Sequence, residues 1–122
     1  MKRTVAQQRG EEGEALARRY LEKRGLRFMA ANWLCKLGEI DLVMEDADGT
    51  RVFVEVRTRA ETTYGAGFET VAVHKQAKLL RAAQLYQQQE NYWGPMRFDV
   101  VSIAVAADGE PHVEHIPHAF EA

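Results

Sequence analysis

Gly38-Glu39-Ile40-Asp41-Leu42-Val43-Met44 and, after a short polar break, Arg51-Val52-Phe53-Val54-Glu55-Val56-Arg57-Thr58 are the stretches whose reading decides the fold. In an extended chain side chains alternate. Glu39, Asp41 and Val43 therefore fall on one side of a first strand, with Ile40, Leu42 and Met44 on the other. The second stretch puts Phe53, Glu55 and Arg57 on one side and Val52, Val54 and Val56 on the other. Asp46-Ala47-Asp48-Gly49 between them is turn chemistry, so the pair reads as a β-hairpin.

Pairing Asp46 with Thr50 across a three-residue loop sets Asp41 opposite Glu55 and Glu39 opposite Arg57; a four-residue loop shifts the pairing by one. In the first register two carboxylates face each other with Cβ atoms ~5 Å apart, which is destabilising on its own. A divalent cation removes the conflict, because Mg²⁺ or Mn²⁺ takes carboxylates together with waters and a phosphate oxygen. The guanidinium of Arg57 relieves it as well. The same residues also fit the solvated face of an amphipathic hairpin with an ordinary cross-strand ion pair. Periodicity alone does not separate the two.

Working outward, a first helix is expected from about Gln7 to Arg24, with Leu16, Ala17, Tyr20 and Leu21 as its apolar stripe and Gly25 just past its end. At ~100° per residue Glu14 falls on the border of that stripe. A functional carboxylate and a solvated one favoured by the helix N-terminus both fit there. A short extended piece, Leu26 to Ala30, and a loop around Asn32, Trp33 and Cys35 lead to the hairpin. Beyond it come a glycine-bearing loop, Ala60 to Gly67, and a second helix from about Thr70 to Gln89. That helix buries Ala72, Gln76, Leu79, Leu80, Ala83 and Tyr86. Strands at Arg97–Val105 and about His112–Ile116 follow, separated by Asp108-Gly109. The β-α-β connection makes the strands through Val52 and Val100 parallel. The expectation is an α/β fold, a mixed sheet flanked by helices in the order α-β-β-β-α-β-β.

The chain of 122 residues, 46% hydrophobic and 28% charged, suits one globular domain spanning 1–122. Its single cysteine, Cys35, excludes an intrachain disulfide and a cysteine zinc site. No apolar run is long enough to span a membrane, and nothing resembles a secretory signal, so a cytoplasmic protein is expected. A net charge of −2 excludes a generalised basic coat for DNA but leaves room for a local basic patch. His112, His115 and His118 recur every third residue. A strand turns the first two to opposite faces and Pro117 opposes a helix, so convergence on one ion is not expected.

The hairpin segments resemble the PD-(D/E)xK nuclease signature. More closely, the chain is similar to the YraN-like family of bacterial proteins, predicted endonucleases with a restriction-endonuclease-like fold related to archaeal Holliday-junction resolvases. The resemblance runs nearly end to end. It includes Gly13-Glu14-Ala15, Ala31-Asn32-Trp33, the Val71-to-Leu80 segment with His74, Lys75 and Lys78, and Arg97-Phe98-Asp99-Val100-Val101.

It implies a metal-dependent endonuclease acting on nucleic acid, DNA foremost. Mg²⁺ or Mn²⁺ would be held by Asp41 and Glu55 with Glu39 as an extra ligand, and Glu14 would assist. The third signature residue, normally lysine, is Arg57. Arginine stays protonated and cannot act as a general base, but it can hold a phosphate bidentately. Lys75 is the candidate to supply a lysine from elsewhere, beside its plainer reading as a solvated side chain. Arg59, Lys75, Lys78 and Arg81 are candidates for flanking phosphates, and Tyr64 for stacking on a base. The rival from another class is a non-catalytic module that keeps the fold and docks nucleic acid or protein. A homodimer assembling two half-sites is also compatible with the sequence.

Overall fold

The computed structural model describes residues 4–60 and 73–120, without the side chains of 5–9, 59, 60, 73 and 74. Helix α1 (Val5–Lys23) is followed by strands β1 (Arg27–Cys35), β2 (Gly38–Glu45) and β3 (Arg51–Ala60), helix α2 (Val73–Glu90), and strands β4 (Met96–Val105) and β5 (Pro111–Phe120). This is the α/β arrangement expected, in the expected order. The five strands form one sheet in the order β1-β2-β3-β4-β5. Only β3 and β4, joined through α2, run parallel.

Local chemistry fixes the element ends. Gly25 adopts φ 96°, open to glycine at no steric cost. The Gly25 amide donates to the Glu22 carbonyl at 3.0 Å and the Leu26 amide to the Leu21 carbonyl at 3.1 Å. That is a Schellman stop, closed by burial of Leu21 and Leu26 together. In the hairpin the Asp46 amide donates to the Thr50 carbonyl at 2.9 Å, and Glu45 pairs with Arg51. The three-residue loop is the one that forms.

Each helix covers one face of the sheet. Against α1, Ala17 and Leu21 pack on Leu42, Met44, Val52, Val54, Val101 and Ile103. Against α2, Leu79, Ala82, Ala83 and Tyr86 pack on Ile40, Val43, Phe53 and Phe98. Each fully buried aliphatic or aromatic side chain stabilises the fold by roughly 1.5–3 kcal/mol.

Four expectations are corrected. The residues around Asn32, Trp33 and Cys35 are strand, not loop: β1 runs to Cys35, with Trp33 opposite Ile40 and Leu34 opposite Glu39. A register irregularity between Phe28 and Ala30 and a left-handed Asn32 at φ 51° keep the strand paired while re-aiming its side chains. In β2, strict alternation fails. Ile40 and Val43 both face α2, whereas Leu42 and Met44 face α1, so the side-chain direction switches between Asp41 and Leu42. β5 runs to Phe120, through Pro117, because an edge strand has no outer ladder for the missing amide to break. On α2, Ala82 takes a buried place while Gln76 and Leu80 are half-buried. Ala72 and the loop expected from Ala60 to Gly67 fall wholly or largely outside the described residues, as does the start of the helix expected at Thr70.

Candidate functional site

The β2–β3 ladder runs from Glu45–Arg51 to Leu42–Val54 in the register that points Asp41 at Glu55. There the strands part. The Val56 amide donates to the Asp41 carboxylate at 2.8 Å, so a side chain replaces the strand carbonyl that would have continued the ladder. The switch of side-chain direction in β2 falls at the same residue. It turns Asp41 towards α1, where Glu14 waits, while Glu55 keeps the face it shares with Phe53.

Carboxylate oxygens of Glu14, Glu39 and Asp41 lie within 4.8 Å of one another. Gly13 makes this possible. A Cβ built on it would stand 2.5 Å from Thr58 Oγ1 on β3. With Thr58 opposite, a side chain at 13 would force the hydroxyl or the helix to shift, so glycine lets α1 lie close enough to deliver Glu14. From β1, the Asn32 amide nitrogen donates to Glu14 at 2.8 Å and reaches Glu39 at 3.4 Å.

Burial, then the charge of Glu55, pushes the Asp41 carboxyl up to about 7 from an ordinary 3.8, despite the Val56 amide that favours its anion. Burial also raises Glu55, against the pull of Lys75 and Arg57 and a hydrogen bond from Asp41. Glu14 is raised by burial, partly offset by Asn32. Burial is the first cause in all three, and neighbouring carboxylates add to it.

On the α2 side, Glu39 and Glu55 open into a cleft of about 250 Å³ whose other wall carries Lys75 and Lys78, with Leu79 and Ala82 beneath. Arg57 follows Glu55 along β3 and acts on its charge. Arg81 is exposed on α2. The side chain of Arg59, and Tyr64 altogether, lie outside the described residues. Glu14, Glu39 and Asp41 form the three-acid group, and Glu55 stands beside it, linked to Asp41.

The donor set suits a hard divalent ion. All donors are oxygen, and ligand oxygens on opposite sides of Mg²⁺ lie ~4.2 Å apart, comparable with the spread here.

Two residues that shape the site, Gly13 and Asn32, escaped a reading for function. Gly13 carried a signal, since a glycine inside a helix costs ~1 kcal/mol and calls for a packing reason. Asn32 looked like turn chemistry and carried none. Farther along the sheet, Asp99 is fully buried. Both guanidinium contacts from Arg97 reach it at 2.9 Å, His115 Nε2 at 2.7 Å and the His118 amide at 3.1 Å. This network fastens β5 to β4, and it brings His115 to a carboxylate rather than to the other histidines.

Among the described residues no helix is long and apolar enough to cross a membrane. Distant likenesses among solved structures include a chain of an EndoMS–dsDNA complex (TM-score 0.44, 18% identity, 82% of this chain and 38% of that one). Another is SfsA of Pyrococcus furiosus in complex with Ca²⁺ (TM-score 0.40, 14% identity, 93% and 64%). Sequence relatives are much nearer. A UPF0102 protein of Pseudomonas syringae pv. syringae is 50% identical over 113 residues, 91% of this chain and 88% of its own. One from Pseudomonas aeruginosa is 40% identical over 124 residues, 98% of each chain. The family model for these proteins matches residues 13–103, which begin at the close-approach glycine and end in β4. In agreement with the resemblance read from the sequence, the chain belongs to the uncharacterised protein family UPF0102.

Proposed function

We propose that this chain is a divalent-metal-dependent endonuclease that hydrolyses phosphodiester bonds in nucleic acid, DNA foremost. The observation that carries the reading is the gathering of Glu14, Glu39 and Asp41 within 4.8 Å at the point where β2 and β3 part. Glu14, Glu39 and Asp41 are the residues to hold the ion. When bound, Mg²⁺ or Mn²⁺ supplies Lewis acidity that polarises a phosphoryl group and acidifies water.

The chain's own residues do the rest. Glu55, whose burial favours its protonated form, accepts the proton of the attacking water on its carboxylate. Lys75, across the cleft from Glu55, takes the place of the signature lysine and stabilises charge growing on the phosphoryl oxygens. Arg57 holds the scissile phosphate, and Lys78 and Arg81 bind its neighbours.

The test is incubation of the purified protein with labelled single-stranded, duplex and four-way-junction DNA in Mg²⁺ or Mn²⁺, alongside Glu55→Ala. Nicking by the wild type that the variant lacks is the expected result. Equal nicking by both would mark a contaminant and defeat the reading. Binding of DNA with no cleavage of any substrate would defeat it in favour of a docking module.

A further inference from the structure

Asn32 is a neutral side chain that reaches across two of the acids. It stands on β1 in the left-handed region at φ 51°, exposed on the sheet's edge strand. Its amide nitrogen donates to Glu14 Oε1 at 2.8 Å and to Glu39 Oε1 at 3.4 Å. The two acceptors come from different elements, α1 and β2. Two facing carboxylates also fix the orientation of the amide, because its oxygen would repel both.

From this bridge we infer that Asn32 is a positioning residue, which holds Glu14 and Glu39 together in the metal-free protein so that their oxygens are already placed for a cation. The inference rests on the metal reading proposed above. Without a donor between them, half-buried Glu14 and exposed Glu39, both on flexible stems, swing apart into water, and drawing them together costs side-chain entropy and Coulomb repulsion when the ion arrives. A bridging amide meets that cost in advance. Its neutrality matters. A lysine or arginine at this position would hold the acids equally well but would cancel the charge that attracts the cation. An amide donates two hydrogens and leaves the field of the cluster intact. Residues that orient ligands in this way typically change metal affinity 10–100-fold when removed.

The plainer account is that asparagine is present only because it tolerates a positive φ. Asn32→Gly separates the two, since glycine keeps the backbone conformation and deletes the amide. The control is Asn91→Gly, the same exchange at the same φ of 51°, where the side chain instead accepts a hydrogen bond from Trp93. Mn²⁺ titration of the full chain, followed by calorimetry and by the electron paramagnetic resonance of free Mn²⁺, reads the dissociation constant. Thermal melts in EDTA confirm that each variant is folded.

We expect Asn32→Gly to bind Mn²⁺ roughly 10-fold more weakly than wild type, with Asn91→Gly unchanged. Equal affinity for wild type and Asn32→Gly would overturn the role of Asn32 and leave the metal reading standing. No Mn²⁺ binding by the wild type would overturn both.

Discussion

If Asp41 is kept charged only by a cation, then removing its charge should stabilise the metal-free protein, and Asp41→Asn does this almost isosterically. The asparagine oxygen can still accept the Val56 amide that Asp41 accepts at 2.8 Å, so the backbone contact survives. The carboxyl is raised from 3.8 to about 7, first by burial and then by Glu55. At ~1.4 kcal/mol per unit that rise sets a ceiling of about 4 kcal/mol. Part of Asp41 remains in contact with water, and Glu55 shares its proton, which brings the expected effect down to about 2 kcal/mol.

The sign follows from linkage. A group whose pKa is higher in the folded state lends stability that is fully present below its unfolded value and disappears as pH rises through the folded one. Wild type should therefore lose this contribution progressively between about pH 4 and 7, whereas Asp41→Asn has no charge to acquire. In EDTA the two melting curves should nearly coincide near pH 4. By pH 8 the variant should melt roughly 6–10 °C higher. Saturating Mn²⁺ should reverse the order, adding about 2.7 kcal/mol to the wild type at one hundred times its dissociation constant and nothing to the variant. Differential scanning fluorimetry across pH, with EDTA and with Mn²⁺, reads all of this. Coincident melts at pH 8 in EDTA, or a less stable variant, would refute the reasoning, because they would mean that the Asp41 charge is already at ease in its surroundings.

Asp99→Ala should cost 3–5 kcal/mol in urea denaturation, since it leaves Arg97 charged and half its partners gone in a buried place. Burial works to raise the Asp99 carboxyl, but His115 and Arg97 together hold it below its ordinary value. Its stabilisation is thus present above about pH 4 and lost as pH falls further, and Asp99→Asn should flatten that acid limb of the stability curve. Gly13→Ala should lower the melting temperature by several degrees despite the better helix former, and Thr58→Ala in the same chain should restore most of the loss, because the clash is with Thr58 Oγ1. Lys75→Met should slow cleavage about 10²-fold while leaving Mn²⁺ affinity within about twofold, as expected of a group that meets the phosphate and not the ion.

Much of the fold was legible because its signals are local. The Asp46–Thr50 loop, the Gly25 stop and the parallel β3–β4 pair follow from turn chemistry and connection rules that act within a few residues. What escaped depends on tertiary fit. Asn32-Trp33 reads as turn residues, yet pairing with Ile40 holds the segment in the sheet, and its asparagine takes the strained φ without leaving the strand. Pro117 suggests a stop, but it falls on an edge with no outer partner. The switch in β2 is invisible to a rule of alternation, because Asp41 and Leu42 are both compatible with either parity. Only the burial of Ile40 on one face and Leu42 on the other reveals it.

That switch favours the proposed cation site over the solvated hairpin, the two accounts that periodicity left open. On an ordinary amphipathic hairpin the acids share one solvated face, the ladder continues beneath them, and each finds a basic partner across the strand. Here the ladder stops at Leu42–Val54, Asp41 bonds the Val56 amide, and Glu14 is brought up by a helix that has given up a side chain at position 13 to come so near. Lys75 and Arg57 act on Glu55, on the α2 side, and Asp41 is left among acids. The arrangement costs ladder hydrogen bonds, helix propensity and charge repulsion at once, all at one place, while tightly packed clusters on both faces of the sheet supply the stability that tolerates it. Strain concentrated on one group of carboxylates, with a cleft carrying two lysines beside it, supports the proposed phosphate-and-cation site over a solvated strand face.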